Sequence, residues 1–343
     1  MSIEGYGVAR ATVELLLEAV PAAAGRWVDT EGLRRALVRD GRVLGRWLPA
    51  AVFIPITIPL VVLLLQGWIA GRDWPGNDAN LYRSAAAAWL AGGDPWLVGD
   101  ANASFAGSPL TVLAFVPAML IPEAIFRPAA VLVSWAAGAW LIRHFRLPWY
   151  WLAFPPLVAG AMLANPGVIA IALVCGPLAW LGSVLKVFMV VPTVGDRRWH
   201  SLVGAALVGV VSVLAFPSLW ATYLRDLPMV SARLLHDLHY QGTLFMTPWL
   251  IPIGLLGLLA LARVDLRAAC WLAVPALWPA AEYHYGVFLM PAGAPVLGIF
   301  MAIGSSPVAT AAIAVYGFGR FAIATRSGQR WRERYLHPLT RGA

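Results

Sequence analysis

The chain has 343 residues, of which 60% are hydrophobic and 12% charged, whereas an ordinary soluble domain carries about 25% charged residues. That much apolar surface excludes a soluble fold. The formal net charge of +8 comes from 24 arginines and one lysine against 17 acidic residues. The arginines sit mostly between and beside apolar runs and form no single patch, which excludes nucleic acid as a partner.

Apolar runs of roughly 17 to 22 residues recur from Leu48 to Thr325, each long enough at 1.5 Å per residue to cross a hydrocarbon core of about 30 Å. Continuous runs specify helices, because barrel strands would alternate and because lipid leaves every backbone polar group to be satisfied internally. The expected fold class is all-α: a polytopic integral membrane protein with about 10–11 transmembrane helices and an interfacial helix in the first extracytoplasmic loop. Three regions follow: a cytoplasmic N-terminal basic amphipathic segment over 1–46, a transmembrane domain over 47–325, and a basic C-terminal tail over 326–343.

Residues 1–46 hold no span, and no cleavable signal peptide is visible, since the first run long enough to insert begins near Leu48. Arg26, Arg34, Arg35, Arg39, Arg42 and Arg46 concentrate before it, which places this end in the cytoplasm by the positive-inside rule. Glu31 to Arg39 reads as a short basic amphipathic helix on anionic headgroups. Spans are expected near 48–70, 109–122, 127–142, 148–163, 166–182, 184–194, 201–217, 246–262, 268–281, 286–303 and 306–325. Gly176, Pro177 and Pro192 leave the 166–194 region as two short helices or one broken one. The basic tail Arg326, Arg330, Arg332 and Arg334 reads as cytoplasmic and needs an even span count, with which Arg143 and Arg146 agree poorly. Cys175 and Cys270 lie within apolar runs and suggest no disulfide framework.

Two polar segments, 71–108 and 218–245, fall on the opposite side and are too short for separate domains, so they pack on the bundle. In the first, Gly76 and Asn77 open a helix, an alanine run sustains it, and Gly92, Gly93 and Pro95 stop it. Asp78, Tyr82, Ala85 and Trp89 then share one face. Asp78 is either a functional carboxylate on that face or a cap on the helix N-terminus.

Lys186, the only lysine, lies in the apolar run Leu185 to Pro192. An ammonium there costs about 2.5 to 3.5 kcal/mol, so it meets an anion such as a lipid phosphate or snorkels toward the Asp196, Arg197 and Arg198 level. Glu282, Tyr283, His284 and Tyr285 stand between two apolar runs as a second polar boundary, readable as a site, as a buried neutral histidine or as an aromatic belt. The 218–245 segment adds Arg225, Asp226, Arg233, His236, Asp237, His239 and Tyr240. A metal on His236, Asp237 and His239 is disfavoured, because three residues within four positions fix no coordination geometry.

These motifs resemble a known pattern. Asp78 through Trp96, then Phe105 to Leu110 opening the second span, then Ala164-Asn165-Pro166-Gly167, Lys186 through Pro192 with Arg197-Arg198-Trp199, and Tyr283-His284-Tyr285 before Pro291 follow one another as in the GT-C superfamily of membrane glycosyltransferases. The branch most similar is that of the polyprenyl-phosphate-mannose-dependent mannosyltransferases. The resemblance implies a polyprenyl-phosphate sugar donor, a lipid or glycan acceptor, inversion at the anomeric carbon, and Asp78 as general base. It implies Lys186 or Arg225 as the cation for the leaving phosphate, and Tyr82, Lys186, Arg225, His236, Glu282, Tyr283 and His284 around the substrates. The expected partners are these substrates and membrane lipids, with no cofactor or metal, and the expected location is the cell membrane with the active site outside the cytoplasm. The chain departs from the pattern at Ala164-Asn165, where some relatives carry glycine before glutamine or asparagine.

A secondary transporter or flippase of a lipid-linked or anionic substrate is the rival from another class. It predicts intramembrane charges on several spans and paired broken helices, whereas most acidic residues here lie in loops. A non-catalytic scaffold would leave Lys186 and the boundary motifs without a purpose.

Overall fold

The computed structural model describes residues 30–70, 75–99, 104–237, 247–278 and 282–325, and within them the backbone alone for 30–46 and 234–237. The described residues are helical throughout, apart from turns and one isolated bridge between Gly99 and Ser104. The proposed tail over 326–343 and most of the proposed N-terminal segment lie outside them. The boundary set at residue 46 falls inside one continuous helix, α1, Thr30–Ile69.

α1 is 40 residues long and carries Pro49, Pro55 and Pro59 without ending, as helices in lipid tolerate when neighbours supply the lost hydrogen bonds. One face buries Phe53 edge-on against Trp151, with ring centroids 5.1 Å apart, and Thr57 Oγ1 donates to the Ala153 carbonyl at 2.6 Å. The opposite face leaves Ile54, Ile58 and Leu63 uncovered, the pattern of a helix whose solvent is itself apolar.

After α1 come α2 (Asn77–Leu90), α3 (Pro109–Phe115) and α4 (Glu123–His144). Four short helices follow: α5 (Pro155–Met162), α6 (Pro166–Cys175), α7 (Ala179–Leu185) and α8 (Val190–Gly195). α9 (Trp199–Ala215) and the amphipathic α10 (Pro217–Asp237) lead to α11 (Leu250–Ala262) and α12 (Leu266–Leu277). After a 3₁₀ turn over Tyr283–Phe288 come α13 (Leu289–Ala292), α14 (Gly298–Ala302) and α15 (Ser306–Ala324).

Three of these helices are long and apolar enough to cross a membrane: Trp47–Ile69 of α1, Glu123–His144 and Ser306–Ala324. Two bent pairs, α5 with α6 at 112° and α9 with α10 at 101°, raise that number to five if each counts as one span. The expected ten or eleven runs are therefore mostly shorter elements. Gly176-Pro177, Pro192, Pro291, Gly293 and Pro295 cut the apolar sequence where hydropathy alone reads straight through. α11 and α12 have 13 and 12 residues, about 20 Å at 1.5 Å per residue.

The main core gathers Trp151, Trp271, Phe154 and Phe288 between α1, α12 and the 283–288 turn. α11 and α15 pack backbone to backbone: a Cβ on Gly257 would come within 2.4 Å of Ala314 Cα, and one on Gly317 within 2.1 Å of the Gly257 carbonyl oxygen. Small residues at both positions let the helices meet that closely. A second core, with Tyr82, Trp96, Phe105, Leu219 and Val230, fastens α2 and α10 together over the bundle.

The bundle has two distinct ends. Ser306, at the start of α15, lines a small cavity with Glu282, whereas Arg320, near the other end of the same helix, reaches Asp265 at 3.9 Å. Asp265 caps the start of α12, accepting from the Ala268 N–H at 2.9 Å. α12 and α15 thus both run between a carboxylate end and an arginine end.

Candidate functional site

The bend between α5 and α6 builds the centre of the site. Ala164 takes φ +53°, the left-handed conformation in which helices commonly end on glycine. The Ala164 N–H donates to the Ala161 carbonyl at 3.1 Å and the Asn165 N–H to the Gly160 carbonyl at 2.8 Å, the paired bonds of a Schellman turn. Ala164 therefore occupies a conformation that glycine usually fills. Asn165 then caps α6, its Oδ1 accepting from the Gly167 N–H at 2.8 Å, and Pro166 fills the first helical position.

With Oδ1 committed to that cap, the Asn165 NH₂ group points the other way. Its Nδ2 donates to Asp78 Oδ2 at 2.7 Å and faces Glu282 Oε2 at 3.4 Å. His284 Nδ1 lies 3.2 Å from the same Glu282 oxygen. Three segments distant in sequence thus meet on one buried amide, Asn165 being 2% exposed.

α2 brings Asp78 there by its backbone. The Gly76 N–H donates to the Met162 carbonyl at 2.8 Å and the Asp78 N–H to the Leu163 carbonyl at 3.1 Å, so the last turn of α5 holds the first turn of α2. Gly76 is the N-cap of α2, and no side chain caps that end. The reading of Asp78 as a cap is set aside: its carboxylate accepts from Asn165 instead.

One turn further, Tyr82 is buried and its hydroxyl accepts a hydrogen bond from Lys186 Nζ. The ammonium also stands 4.9 Å from the Tyr82 ring centroid and 5.9 Å from that of Phe188, cation–π distances. Lys186 occupies the extended break after α7, at φ −141° and ψ 107°. Its side chain turns toward α2, and Asp196 is held elsewhere by Arg267 Nε at 2.7 Å. Snorkelling toward the Asp196 level is thereby overturned.

The electrostatics follow from burial and proximity. Burial, reinforced by the neighbouring Glu282 charge, pushes the Asp78 carboxyl up to about 6, while the Asn165 hydrogen bond and the Lys186 charge pull the other way. Burial also raises Glu282 above the usual carboxylate range, opposed by Lys186. His284 is pushed down to about 3, chiefly by burial, so it is neutral at ordinary pH and can donate its Nδ1 proton to Glu282. Its Nε2 is buried without a hydrogen-bond partner among the described residues and packs where a side chain on Gly167 would stand. A cavity of about 20 Å³ beside Glu282, Tyr283 and Ser306 has room for one water.

Of the residues expected around a substrate, Asp78, Tyr82, Lys186, Glu282 and His284 come together. Tyr283 does not join them: its hydroxyl donates to the Ala302 carbonyl at 2.7 Å. Arg225 bonds Asp94 Oδ2 at 2.8 Å and Asp226 Oδ1 at 2.7 Å, tying α10 to the loop after α2. Asp94 in turn caps the turn at Pro95–Leu97, accepting from the Trp96 N–H at 2.9 Å. His236 lies on the last turn of α10 with its side chain outside the described residues, His239 lies outside them altogether, and the metal reading falls with them outside the description. Asn165 is the member that sequence reasoning assigned no role. The only signal for it was Asn before Pro-Gly, which indicates a helix cap and says nothing of Asp78, 87 positions away.

No protein-family model, characterised protein or solved structure matches this chain.

Proposed function

We propose that the chain is a multi-pass membrane glycosyltransferase of the GT-C type, moving a sugar from a polyprenyl-phosphate donor to a lipid- or glycan-linked hydroxyl, with its site outside the cytoplasm. The observation that carries this reading is the single buried cluster in which Asp78, with its carboxyl raised to about 6, is aimed by Asn165 and stands one helical turn from the Tyr82–Lys186 pair. A base of that pKa is largely ionised at neutral pH and takes up a proton readily.

In the transfer, an Asp78 oxygen takes the proton of the acceptor hydroxyl as the acceptor oxygen bonds the anomeric carbon. The bond from that carbon to the lipid phosphate breaks on the opposite face, and its electron pair leaves with the phosphate. Lys186 faces the charge that develops there, Tyr82 holds Lys186, and Glu282 with His284 holds the Asn165 amide on Asp78. Arginines at the other end of the bundle support a cytoplasmic placement of that end by the positive-inside rule.

The test is incubation of the purified protein with radiolabelled polyprenyl-phosphate mannose or arabinose and a membrane lipid extract. Label is expected to move to lipid or glycan with the wild type and not with Asp78→Ala. Full transfer by Asp78→Ala would overturn the assignment of the base. A transporter is favoured by one observation: the polar cluster sits at the break of the α5–α6 bent pair, where broken helices place transported substrates. Uptake of an unmodified anionic substrate into vesicles, with no donor consumed, would establish that reading instead.

A further inference from the structure

At the arginine end, a pocket of about 520 Å³ opens between the α8–α9 and α11–α12 connections, lined by Gly195, Asp196, Arg197, Arg198, Asp265 and Arg267 among others. We infer that it is a binding site for a phosphate group, supplied by the headgroup of an anionic phospholipid. The inference is independent of the chemistry at Asp78.

Both acids in the lining are already engaged. Asp196 accepts from Arg267 Nε at 2.7 Å and Trp271 Nε1 at 3.2 Å, and Asp265 accepts from the Ala268 N–H. The arginines are less fully spent. Among the described residues Arg198 donates only to neutral carbonyls, those of Cys175 at 3.0 Å and Gly176, and so keeps its full charge on the pocket. Arg197 is exposed and pairs with no acid among the described residues. The amino end of α9, whose N-cap Arg198 provides no side-chain cap, adds a favourable dipole for an anion.

The backbone supports a role for Arg197. It closes α8 by the same turn as Ala164, with φ +56° and its N–H and that of Arg198 donating to Val194 at 2.9 Å and Thr193 at 3.1 Å. Glycine is the usual residue at that position because a side chain there is strained. Here an arginine stands in its place, beside a pocket that it lines.

The surroundings favour a lipid over a soluble phosphate. From the pocket, α9 rises with Val203, Leu207, Val210 and Leu214 all more than half exposed on one face, a stripe on which acyl chains can lie. Trp199 stands uncovered at the level of the pocket, where tryptophan marks the headgroup region.

The test titrates the purified full chain in neutral detergent with phosphatidylglycerol, phosphatidylcholine or inorganic phosphate, reading Tm by tryptophan fluorescence. Phosphatidylglycerol is expected to raise Tm saturably, and phosphatidylcholine much less. Arg197→Gly, which relieves the backbone strain and so folds, is expected to weaken the apparent affinity by about tenfold, one charge-assisted contact's worth. Arg197→Lys should fall between. A saturable, Arg197-dependent shift from inorganic phosphate alone would keep the site and make its ligand a soluble phosphate. Equal responses of wild type and Arg197→Gly to every ligand, or equal responses to the two lipids, would overturn the inference.

Discussion

At one end of the bundle, Asp78 and Glu282 share the Asn165 amide near a buried lysine. At the other, Arg197, Arg198 and Arg267 stand around an open pocket with Asp196 and Asp265. Both ends hold charges of both signs, yet they are built for different work. Burial at the first end makes each charge costly and moves carboxyl pKa values toward neutrality, where a carboxylate exchanges its proton most readily. Openness at the second leaves its cations in contact with whatever anion arrives, and its worth lies in adhesion.

Four substitutions sharpen or break this contrast. Asp78→Asn should lower sugar transfer by about 10²–10⁴-fold, the usual worth of a positioned base, while raising Tm at pH 7 to 8. The sign follows from linkage: a carboxyl whose folded pKa is raised to about 6 favours the folded state while protonated and loses that contribution as pH rises through 6. The Tm gain should therefore shrink as pH falls through 6 and vanish by about pH 3, below both pKa values. A variant that lost activity and stability together at neutral pH would break the contrast.

Lys186→Met should cost on the order of 10²–10³-fold in kcat, as loss of one charge-stabilising group does, and should lower Tm because two buried carboxyls lose their counterion. Unchanged kcat would remove Lys186 from the leaving-group side. Asn165→Ser keeps an α6 cap but loses the reach to Asp78. The expected result is an acid limb of the pH–rate profile moved above the wild-type value near 6, since the lost hydrogen bond is one that lowers the Asp78 pKa. An unmoved acid limb would mean that Asn165 only caps. Smallest of all, Arg267→Ala should leave transfer within about twofold and reduce stability by about 1 kcal/mol, since the arginine is half exposed and Asp196 keeps its bond from Trp271 Nε1, measured by denaturant titration. A large activity loss would show that the two ends are coupled.

Local punctuation made α2 readable in the sequence: glycine before it, alanines within it, Gly92-Gly93 after it, and the Asp78–Tyr82 face along it. The Glu282–His284 turn was equally visible, because polar residues between apolar runs are conspicuous. What escaped was set by backbone turns between distant segments. The Asn165–Asp78 contact depends on the direction α5 and α6 take at Ala164, and nothing in an alanine announces φ +53°. Arg225 was legible as a cation and not as a tether, since its partner Asp94 lies 131 positions away. Gly176, Pro177 and Pro192 did mark the 166–194 region as broken, whereas hydropathy read through Pro291, Gly293 and Pro295, because a window average does not register a broken hydrogen-bond ladder.

The turn at Ala164 has a mechanical consequence. One left-handed torsion sets both the 112° angle between α5 and α6 and the aim of the Asn165 amide, so the shape of the bundle and the basicity of Asp78 cannot vary separately. Any motion that straightened the pair would withdraw the amide from both carboxylates at once. The readiness of Asp78 to accept a proton is thereby geared to the bend of the helix pair behind it.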